Sequence, residues 1–410
     1  MLGIFICLMK LWMVVMKYFL SFIILFIALL YFRVVYYQPM DRQVFSGNAW
    51  DNPYEELAGG KPFKVNLHAH THQWLGITNG NGEHMDVSKA YKRLGYDIAQ
   101  TSEYNALNGY NIVPAYEHGF GFNKVHQLVL NAESVNWFEF PLFQWTGHKG
   151  DILHRIKEDN NRSTVVLAHP KLRNGYNPDE MKLLSGFDLI EVVSRFRIST
   201  EVWDSILVSG NPIYLLGSDD CHNVFDEEEV GRAWTWVWQE DKKQVVEGLL
   251  SGKAVGVILP YETNSEIMRY HASHTSPIEK LKVVDDTLTL RTNGMDSVRF
   301  IVDGLAQKWH ALKNQEFAEI LDSVQHYVRV ELKDKHGVKA FLNPIIRKKE
   351  GEVLRPIQAA QEINVWATVL YRLPPLLVIL LLFRYSFGAN KWDVTFVKYF
   401  NLIKRKRLVE

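Results

Sequence analysis

The stretch Val65-Asn66-Leu67-His68-Ala69-His70 is the part of this chain from which its fold is best read. Apolar residues lead into two histidines that are two positions apart, so on a β-strand both imidazoles leave the same face. Two imidazoles at the end of a strand are a common start of a divalent metal site. An isolated His-x-His pair also occurs in ordinary cores, so the hypothesis depends on matching ligands elsewhere in the chain.

The composition is that of a globular protein with room for two or three domains. Lys+Arg and Asp+Glu both total 46, so the net charge gives no signal for nucleic-acid binding. Cys7 lies in an apolar N-terminus and Cys221 lies between Asp220 and His222. We therefore expect no disulfide, and cysteine usage does not indicate a redox compartment.

The N-terminal segment predicts membrane attachment. Residues 18–37 are almost wholly apolar and about as long as a bilayer-spanning helix. Lys10 and Lys17 precede them, and no small-residue cleavage pattern follows. Residues 1–37 are therefore predicted to form an uncleaved anchor, followed by a turn-rich linker at 38–61.

A second apolar run lies near the C-terminus at 365–383, where Arg372 and the pair Pro374-Pro375 interrupt it. It predicts a second transmembrane segment at 364–384, or else a re-entrant or interfacial segment. Basic residues in the tail at 385–410, as before the first segment, favour cytoplasmic termini and an extracytoplasmic middle.

From residue 62 onward, short β-type runs alternate with amphipathic helical stretches, which predicts a parallel α/β architecture. Six or seven such units in about 200 residues favour a barrel at 62–260 over an open sheet. The runs are 64–70, 97–103, 126–135, 164–169, 188–193 and 212–219.

Polar residues fall in these runs or at their ends. Because the carboxyl ends of barrel strands line one mouth, imidazoles and carboxylates about 150 positions apart are expected to converge there. Such ligands suit Zn²⁺, Mn²⁺ or Fe²⁺. The imidazoles and carboxylates at these positions include His68, His70, Glu103, Glu133, His169, Asp220 and His222.

This segment resembles the polymerase and histidinol phosphatase (PHP) superfamily of metal-dependent phosphoesterases. The matching pieces, in the family's order, are His68-Ala69-His70-Thr71, Gly95-Tyr96-Asp97, Glu133, Ala168-His169-Pro170 and Gly217-Ser218-Asp219-Asp220-Cys221-His222. The resemblance implies a distorted seven-stranded TIM-like β/α barrel with two or three metals at its mouth. Carried over onto this sequence, the resemblance implies that the metal ligands are His68, His70, Glu133, His169, Asp220 and His222, with Glu133 as the bridging carboxylate. It also implies catalytic roles for His68, His70, Glu133 and Asp220.

One departure concerns the second strand, where the family commonly has Thr-Asp-His-Asn and this chain has Ser102-Glu103-Tyr104-Asn105. A phenol is a poorer ligand than an imidazole for these ions. One metal position is therefore either lost or served by Glu103, His72 or His84. The prediction is two divalent ions within a range of one to three.

Residues around the ligands have predicted supporting roles. Cations that follow strand ends are candidates for holding phosphate, although solvated loop charges produce the same pattern; they are Lys171, Arg173, Arg195 and Arg197. Four further residues are expected to support the ligands, and they are Glu191, Asp219, Tyr104 and Asn105.

Beyond the barrel the apolar period becomes two, as in Val328, Val330 and Leu332. Several short strands in residues 275–347 predict a small antiparallel, immunoglobulin-like β-sandwich. Nothing in it suggests catalysis, so we expect a packing or substrate-shaping role.

The sequence thus predicts a membrane-anchored, divalent-metal-dependent phosphoesterase in which metal-activated water attacks the substrate. A phosphorylated small molecule or a cell-envelope phosphoester is the expected substrate, and the lipid bilayer is a partner. One alternative is an amidohydrolase-like enzyme, which usually carries a bridging lysine. The other is a degenerate barrel that binds a phosphorylated ligand without catalysis.

Overall fold

The computed structural model describes residues 2–57, 60–195, 197–261, 276–322 and 325–387. They fall into two compact units. The first combines both ends of the chain, up to Tyr36 and from Ile363 onward, and the second extends from Tyr37 to Glu362.

The helices and strands of the described residues are numbered in chain order. The α-helices are α1 (Leu2–Phe32), α2 (His84–Arg93), α3 (Thr146–Asp159), α4 (Thr200–Val208), α5 (Val245–Leu250) and α6 (Val365–Phe387). The strands are β1 (Ala49–Asp51), β2 (Lys61–Asn66), β3 (Ile98–Ala99), β4 (Ala115–His118), β5 (Gln127–Leu130), β6 (Thr164–Leu167), β7 (Leu189–Ser194), β8 (Arg197–Ile198), β9 (Tyr214–Ser218), β10 (Ala233–Gln239), β11 (Ala254–Ile258), β12 (Ile278–Val284), β13 (Thr287–Thr292), β14 (Ser297–Val302), β15 (Leu305–Ala306), β16 (His310–Ala311), β17 (Glu316–Ile320), β18 (Tyr327–Lys333), β19 (Lys339–Leu342) and β20 (Ile345–Lys348).

The first unit contains two helices long and apolar enough to cross a membrane, over Leu8–Phe32 and Val365–Ser386. Arg372, which interrupts the second apolar run, donates from Nε to the carbonyl oxygen of Val34 at 2.9 Å. The guanidinium therefore lies just beyond the end of α1, where it meets a backbone acceptor. Most of the predicted basic tail, from residue 388, lies outside the described residues.

Seven strands of the second unit carry the candidate site. β2 pairs with β3, and β7 pairs with β6 and β9, all in parallel. β5 pairs with β4 and β6 in antiparallel fashion, so the predicted parallel pattern holds only in part. Two isolated parallel bridges, Ala69–Cys221 and Tyr104–Glu117, connect the two groups of strands. Among the described strands the ladder is therefore interrupted rather than continuous.

The strand residues explain why these segments pair. All six side chains of β7 are buried, as is usual for a strand covered on both faces. In β10, Trp234, Trp236 and Trp238 alternate with Thr235 and Val237. The three tryptophans belong to one hydrophobic core and Val237 to another. Because successive strand residues point to opposite faces, β10 lies between these two cores.

The turn-rich segment predicted to be a linker at 38–61 instead packs on the second unit. Its β1 pairs with β20, and Phe45 and Tyr54 are buried. The Tyr54 hydroxyl donates to the carbonyl oxygen of Ala254 at 2.7 Å. Buried aromatic side chains hold this segment in place despite its turn-forming composition.

The strands predicted within 275–347 are present, but their sheet is shared with the rest of the unit. β18 pairs with β19, and β19 pairs with β11. A separate three-stranded sheet contains β12, β13 and β17. The predicted boundary before residue 275 falls on 262–275, which lie outside the described residues.

Candidate metal centre

The first histidine pair lies beside the Asp-x-His element because the two segments pair in parallel. The amide of His70 donates to the carbonyl oxygen of Cys221 at 2.8 Å, and the amide of Asp220 donates to that of His68 at 3.1 Å. Alternate residues therefore leave both segments on the same side. The structure thus brings His68, His70, Asp220 and His222 together from opposite ends of the α/β region.

Glu117, at the centre of the cluster, comes from β4. Its Oε1 lies 2.9 Å from His169 Nε2, 2.7 Å from His126 Nδ1 and 3.3 Å from His68 Nε2. Its Oε2 lies 3.1 Å from His70 Nε2. One carboxylate thus faces four imidazoles, which is the arrangement expected of a bridging ligand.

Asp220 is the second carboxylate of the cluster. Its Oδ1 lies 3.4 Å from Nε2 of both His68 and His70. The φ angle is +54° at Asp220 and +29° at His169, a region that residues other than glycine rarely adopt. Such backbone strain persists where the surrounding structure holds it, and it is enriched at functional sites.

These donors fit a divalent metal ion. Three donors lie within 4.8 Å of one another in each of four overlapping groups: His68/His70/Glu117, His68/His169/Asp220, His70/Asp220/His222 and Glu117/His126/His169. Three buried ring nitrogens of these residues lack a hydrogen-bond partner, namely His70 Nδ1, His126 Nε2 and His169 Nδ1. Buried polar atoms are normally satisfied, so such a concentration points to an ion. Imidazole and carboxylate ligands suit Zn²⁺, Mn²⁺ or Fe²⁺.

The electrostatics of the cluster also favour a bound cation. Burial alone would lower the pKa of His70, but the carboxylates of Glu117 and Asp220 outweigh it and raise the pKa to about 9. Burial opposes ionisation of Glu117 too, yet the surrounding imidazoles hold its pKa well below the usual range. The buried carboxylates thus attract positive charge, which a metal ion can supply as well as protons can.

Glu191 and Asp219 support the cluster from behind. Glu191 Oε1 lies 3.0 Å from His68 Nδ1, and its Oε2 accepts from the His169 amide at 2.6 Å. A carboxylate on the second nitrogen of a histidine fixes the orientation of the ring. Asp219 accepts from the Tyr91 hydroxyl and from two backbone amides, so it positions the segment without entering the cluster.

Glu103 and Asn105 also lie behind the cluster. The carboxylate of Glu103 accepts from the amide and the hydroxyl of Thr71, at 3.1 and 2.6 Å, and it belongs to none of the four donor groups. The Asn105 amide donates to the carbonyl oxygen of Glu117 at 2.9 Å. The structure thus corrects the prediction that Glu103 is a ligand.

The prediction that Glu133 is the bridging carboxylate, and with it the catalytic role, is wrong. Glu133 lies on the surface, where Arg162 is its ion-pair partner at 3.9 Å. Glu117 is the glutamate that lies among the imidazoles, and His126 is a further member of the donor groups; neither was predicted from the sequence. The signal for both was a pair of adjacent polar residues in or beside a short strand. These pairs are Glu117-His118 in β4 and His126-Gln127 at the start of β5.

A cleft of about 230 Å³ opens above the cluster. Lys124, Arg195 and Arg197 line it, whereas Lys171 and Arg173 are not among its described lining residues. Arg195 Nη2 pairs with Glu229 Oε1 at 3.0 Å. Of the predicted phosphate-binding cations, the structure therefore places Arg195 and Arg197 at the cluster, and it adds Lys124.

Fold and site together define a mixed α/β protein with a buried histidine–carboxylate centre. No protein-family model matches the chain, and no curated protein matches it. A solved structure from Bacteroides vulgatus, described as a two-domain protein containing a predicted PHP-like metal-dependent phosphoesterase, is similar at 13% identity and a TM-score of 0.38. The similarity covers 79% of this chain and 97% of that one. At this level it carries no inference about this chain.

Proposed function

We propose that this protein is a membrane-anchored, divalent-metal-dependent phosphoesterase that hydrolyses its substrate with water. The observation that carries the proposal is the buried cluster around Glu117 and Asp220, with its unpartnered donor atoms, beneath a cleft lined by cations. The motif order in the sequence, which resembles that of the PHP superfamily, supports the same reading. We further propose that the seven strands form a distorted barrel of that type.

His68, His70, Glu117, His126, His169 and Asp220 would hold the ions, with His222 as a further ligand. We propose two ions of Mn²⁺, Zn²⁺ or Fe²⁺, because the two carboxylates each lie between several imidazoles. When bound, such ions neutralise phosphoryl charge and lower the pKa of a water molecule.

The residues of the cleft supply the remaining requirements. Arg197 and Lys124 have no ion-pair partner among the described residues, so both are available to an anionic phosphoryl group. Glu191 holds His68, and through the His169 amide it also holds the strained residue that follows β6. These contacts keep the ligands in place before substrate arrives.

The membrane anchor is proposed from the two apolar helices, and an extracytoplasmic position for the second unit from the basic residues outside them. The amidohydrolase alternative is less suitable because a glutamate, Glu117, lies between the imidazoles where such enzymes usually carry a bridging lysine.

The test uses the full-length protein purified in detergent, as wild type, Asp220→Ala and Glu133→Ala. Metal content is measured after incubation with Mn²⁺, Zn²⁺ or Fe²⁺, and hydrolysis with p-nitrophenyl phosphate and bis-p-nitrophenyl phosphate. We expect bound metal and hydrolysis in the wild type and in Glu133→Ala, and loss of both in Asp220→Ala. Metal without phosphoester hydrolysis would overturn the enzyme proposal, and absence of metal in all three would overturn the metal centre.

A further inference from the structure

Several large apolar side chains near the cleft are exposed to solvent. Leu75 is fully exposed and Ile77 is 87% exposed, in the segment between His70 and α2. Trp74, Phe122 and Trp137 are each more than 40% exposed. We call these five residues, Trp74, Leu75, Ile77, Phe122 and Trp137, the apolar rim.

Direct contacts connect the apolar rim to the cleft. Trp74 packs edge-on against Trp137, with ring centroids 5.4 Å apart, and its Nε1 donates to the Tyr104 carbonyl oxygen at 2.8 Å. Tyr104 in turn lines the cleft, and Lys124 lies over its ring at 5.9 Å. The rim is therefore continuous with the site and not a distant surface.

Phe122 extends the rim next to a cation. The guanidinium of Arg173 lies 5.7 Å from the Phe122 ring and donates to the Phe122 carbonyl oxygen at 3.1 Å. Arg173, which the sequence suggested for phosphate binding, thus stands at the rim and not in the cleft. Aromatic rings beside cations are typical of surfaces that bind at the boundary between apolar chains and anionic headgroups.

Exposed apolar side chains at this density mark a surface that binds a partner. Tryptophan and other amphipathic rings prefer the interface of a bilayer with water. The chain also contains two helices of membrane-spanning length, and the second unit begins at Tyr37, five residues after α1 ends. Covalent attachment to such helices favours a lipid surface over a soluble protein as the occupant of the rim.

We propose that the apolar rim binds the bilayer surface and that the cleft takes the phosphate of a lipid, so the substrate class is a lipid phosphoester. The substrate assignment rests on the proposed function, whereas binding of the rim to lipid does not. In the reaction, water adds to phosphorus and the bond from phosphorus to the lipid oxygen breaks. That oxygen takes up a proton of the attacking water, which leaves a lipid alcohol and a phosphate product.

Contact between the apolar rim and the bilayer is tested without any assay of activity. Full-length protein with Cys7→Ser and either Leu75→Cys or Ile320→Cys is labelled with an environment-sensitive fluorophore and reconstituted into phosphatidylcholine vesicles that contain spin-labelled acyl chains. Ile320 is a matched control, since it is 78% exposed and lies on β17. We expect strong quenching of the label at position 75 and little at position 320. Equal quenching at both positions, or none at position 75, would overturn lipid binding by the rim.

Substrate class is tested with Leu75→Ser/Ile77→Ser and, as control, Leu305→Ser/Ile320→Ser, in the reconstituted full-length protein. The probes are dioleoylphosphatidate and dioleoylphosphatidylglycerol in vesicles, with p-nitrophenyl phosphate as the soluble substrate. We expect the rim variant to raise KM for lipid about tenfold with unchanged kinetics on the soluble substrate, since less apolar surface meets the bilayer. The control pair should behave as wild type.

The outcomes separate the two proposals. Hydrolysis of the soluble phosphoester with neither lipid cleaved would overturn the lipid assignment and leave the phosphoesterase intact. Absence of all hydrolysis would overturn the phosphoesterase, while the quenching result would still decide whether the rim binds lipid.

Discussion

The hydroxyl oxygen of Tyr104 lies 3.1 Å from Nε2 of His222, although 118 positions separate the two residues. His222 Nδ1 lies 2.9 Å from the carbonyl oxygen of Asp220, so both ring nitrogens are engaged. The Tyr104 ring also stacks on His70, with centroids 4.4 Å apart. The phenol of Tyr104 therefore contacts two candidate metal ligands, His70 and His222.

We expect Tyr104→His to increase the bound metal by about one equivalent, because an imidazole is a better ligand than a phenol for these ions. Tyr104→Phe is the matched control and should keep the wild-type metal content, since it removes the hydroxyl without adding a nitrogen. Elemental analysis of the full-length proteins measures the effect. Equal metal content in the histidine variant and the wild type would contradict it.

Replacing Glu117 by glutamine should weaken metal binding by more than about 100-fold. Loss of a residue that only supports a ligand typically lowers metal affinity by about 10–100-fold. The amide removes the negative charge that four imidazoles face. Glu103→Gln is the control, because that buried carboxylate is held by Thr71 outside the cluster. Competition with a fluorescent chelator gives both affinities, and equal losses in the two variants would refute the distinction.

Glu191→Gln should lower metal affinity by about 10–100-fold while the ions still bind. Its carboxylate holds His68 Nδ1 and the His169 amide, so a neutral side chain orients the ligands less firmly. The same chelator competition checks this result. An affinity equal to that of wild type would show that Glu191 does not position His68.

A buried ion pair links α4 to the C-terminal strands. Arg329, which is fully buried, donates from Nη2 to Asp204 at 2.6 Å and from Nε at 2.8 Å. Asp204→Ala leaves that guanidinium buried without its partner and should destabilise the fold by about 3–5 kcal/mol. Denaturant unfolding followed by tryptophan fluorescence measures the change. A loss below about 1 kcal/mol would show that Glu331 alone satisfies the arginine.

Lys64 should make stability depend on pH. Burial against Tyr96 and Trp234 lowers its pKa to about 7, although Asp219 and Asp97 oppose the shift. Between that value and 10.5 the unfolded chain binds a proton that the folded chain lacks, so the free energy of unfolding increases with pH in this window. Lys64→Met should be more stable at pH 7 and show a flatter profile from pH 7 to 9. Parallel profiles for the two proteins would contradict the assignment.

Local patterns were enough to predict several features of this protein. The spacing of His68 and His70, and of Asp220 and His222, fixes side-chain direction because alternate strand residues share a face. His169 follows an apolar run, and the lengths of the apolar segments that form α1 and α6 can be counted in the sequence without knowledge of any tertiary contact. These features depend on neighbours in the chain, so the sequence by itself determined them.

Which carboxylate completes the centre was decided only by the tertiary structure. Glu117 enters the cluster because β4 pairs with β5 and bridges to Tyr104, whereas Glu133 turns toward Arg162 at the surface. Both glutamates lie in or next to short apolar runs, so local periodicity does not distinguish them. The choice depends on long-range strand pairing, and the same pairing places the apolar rim beside the cleft.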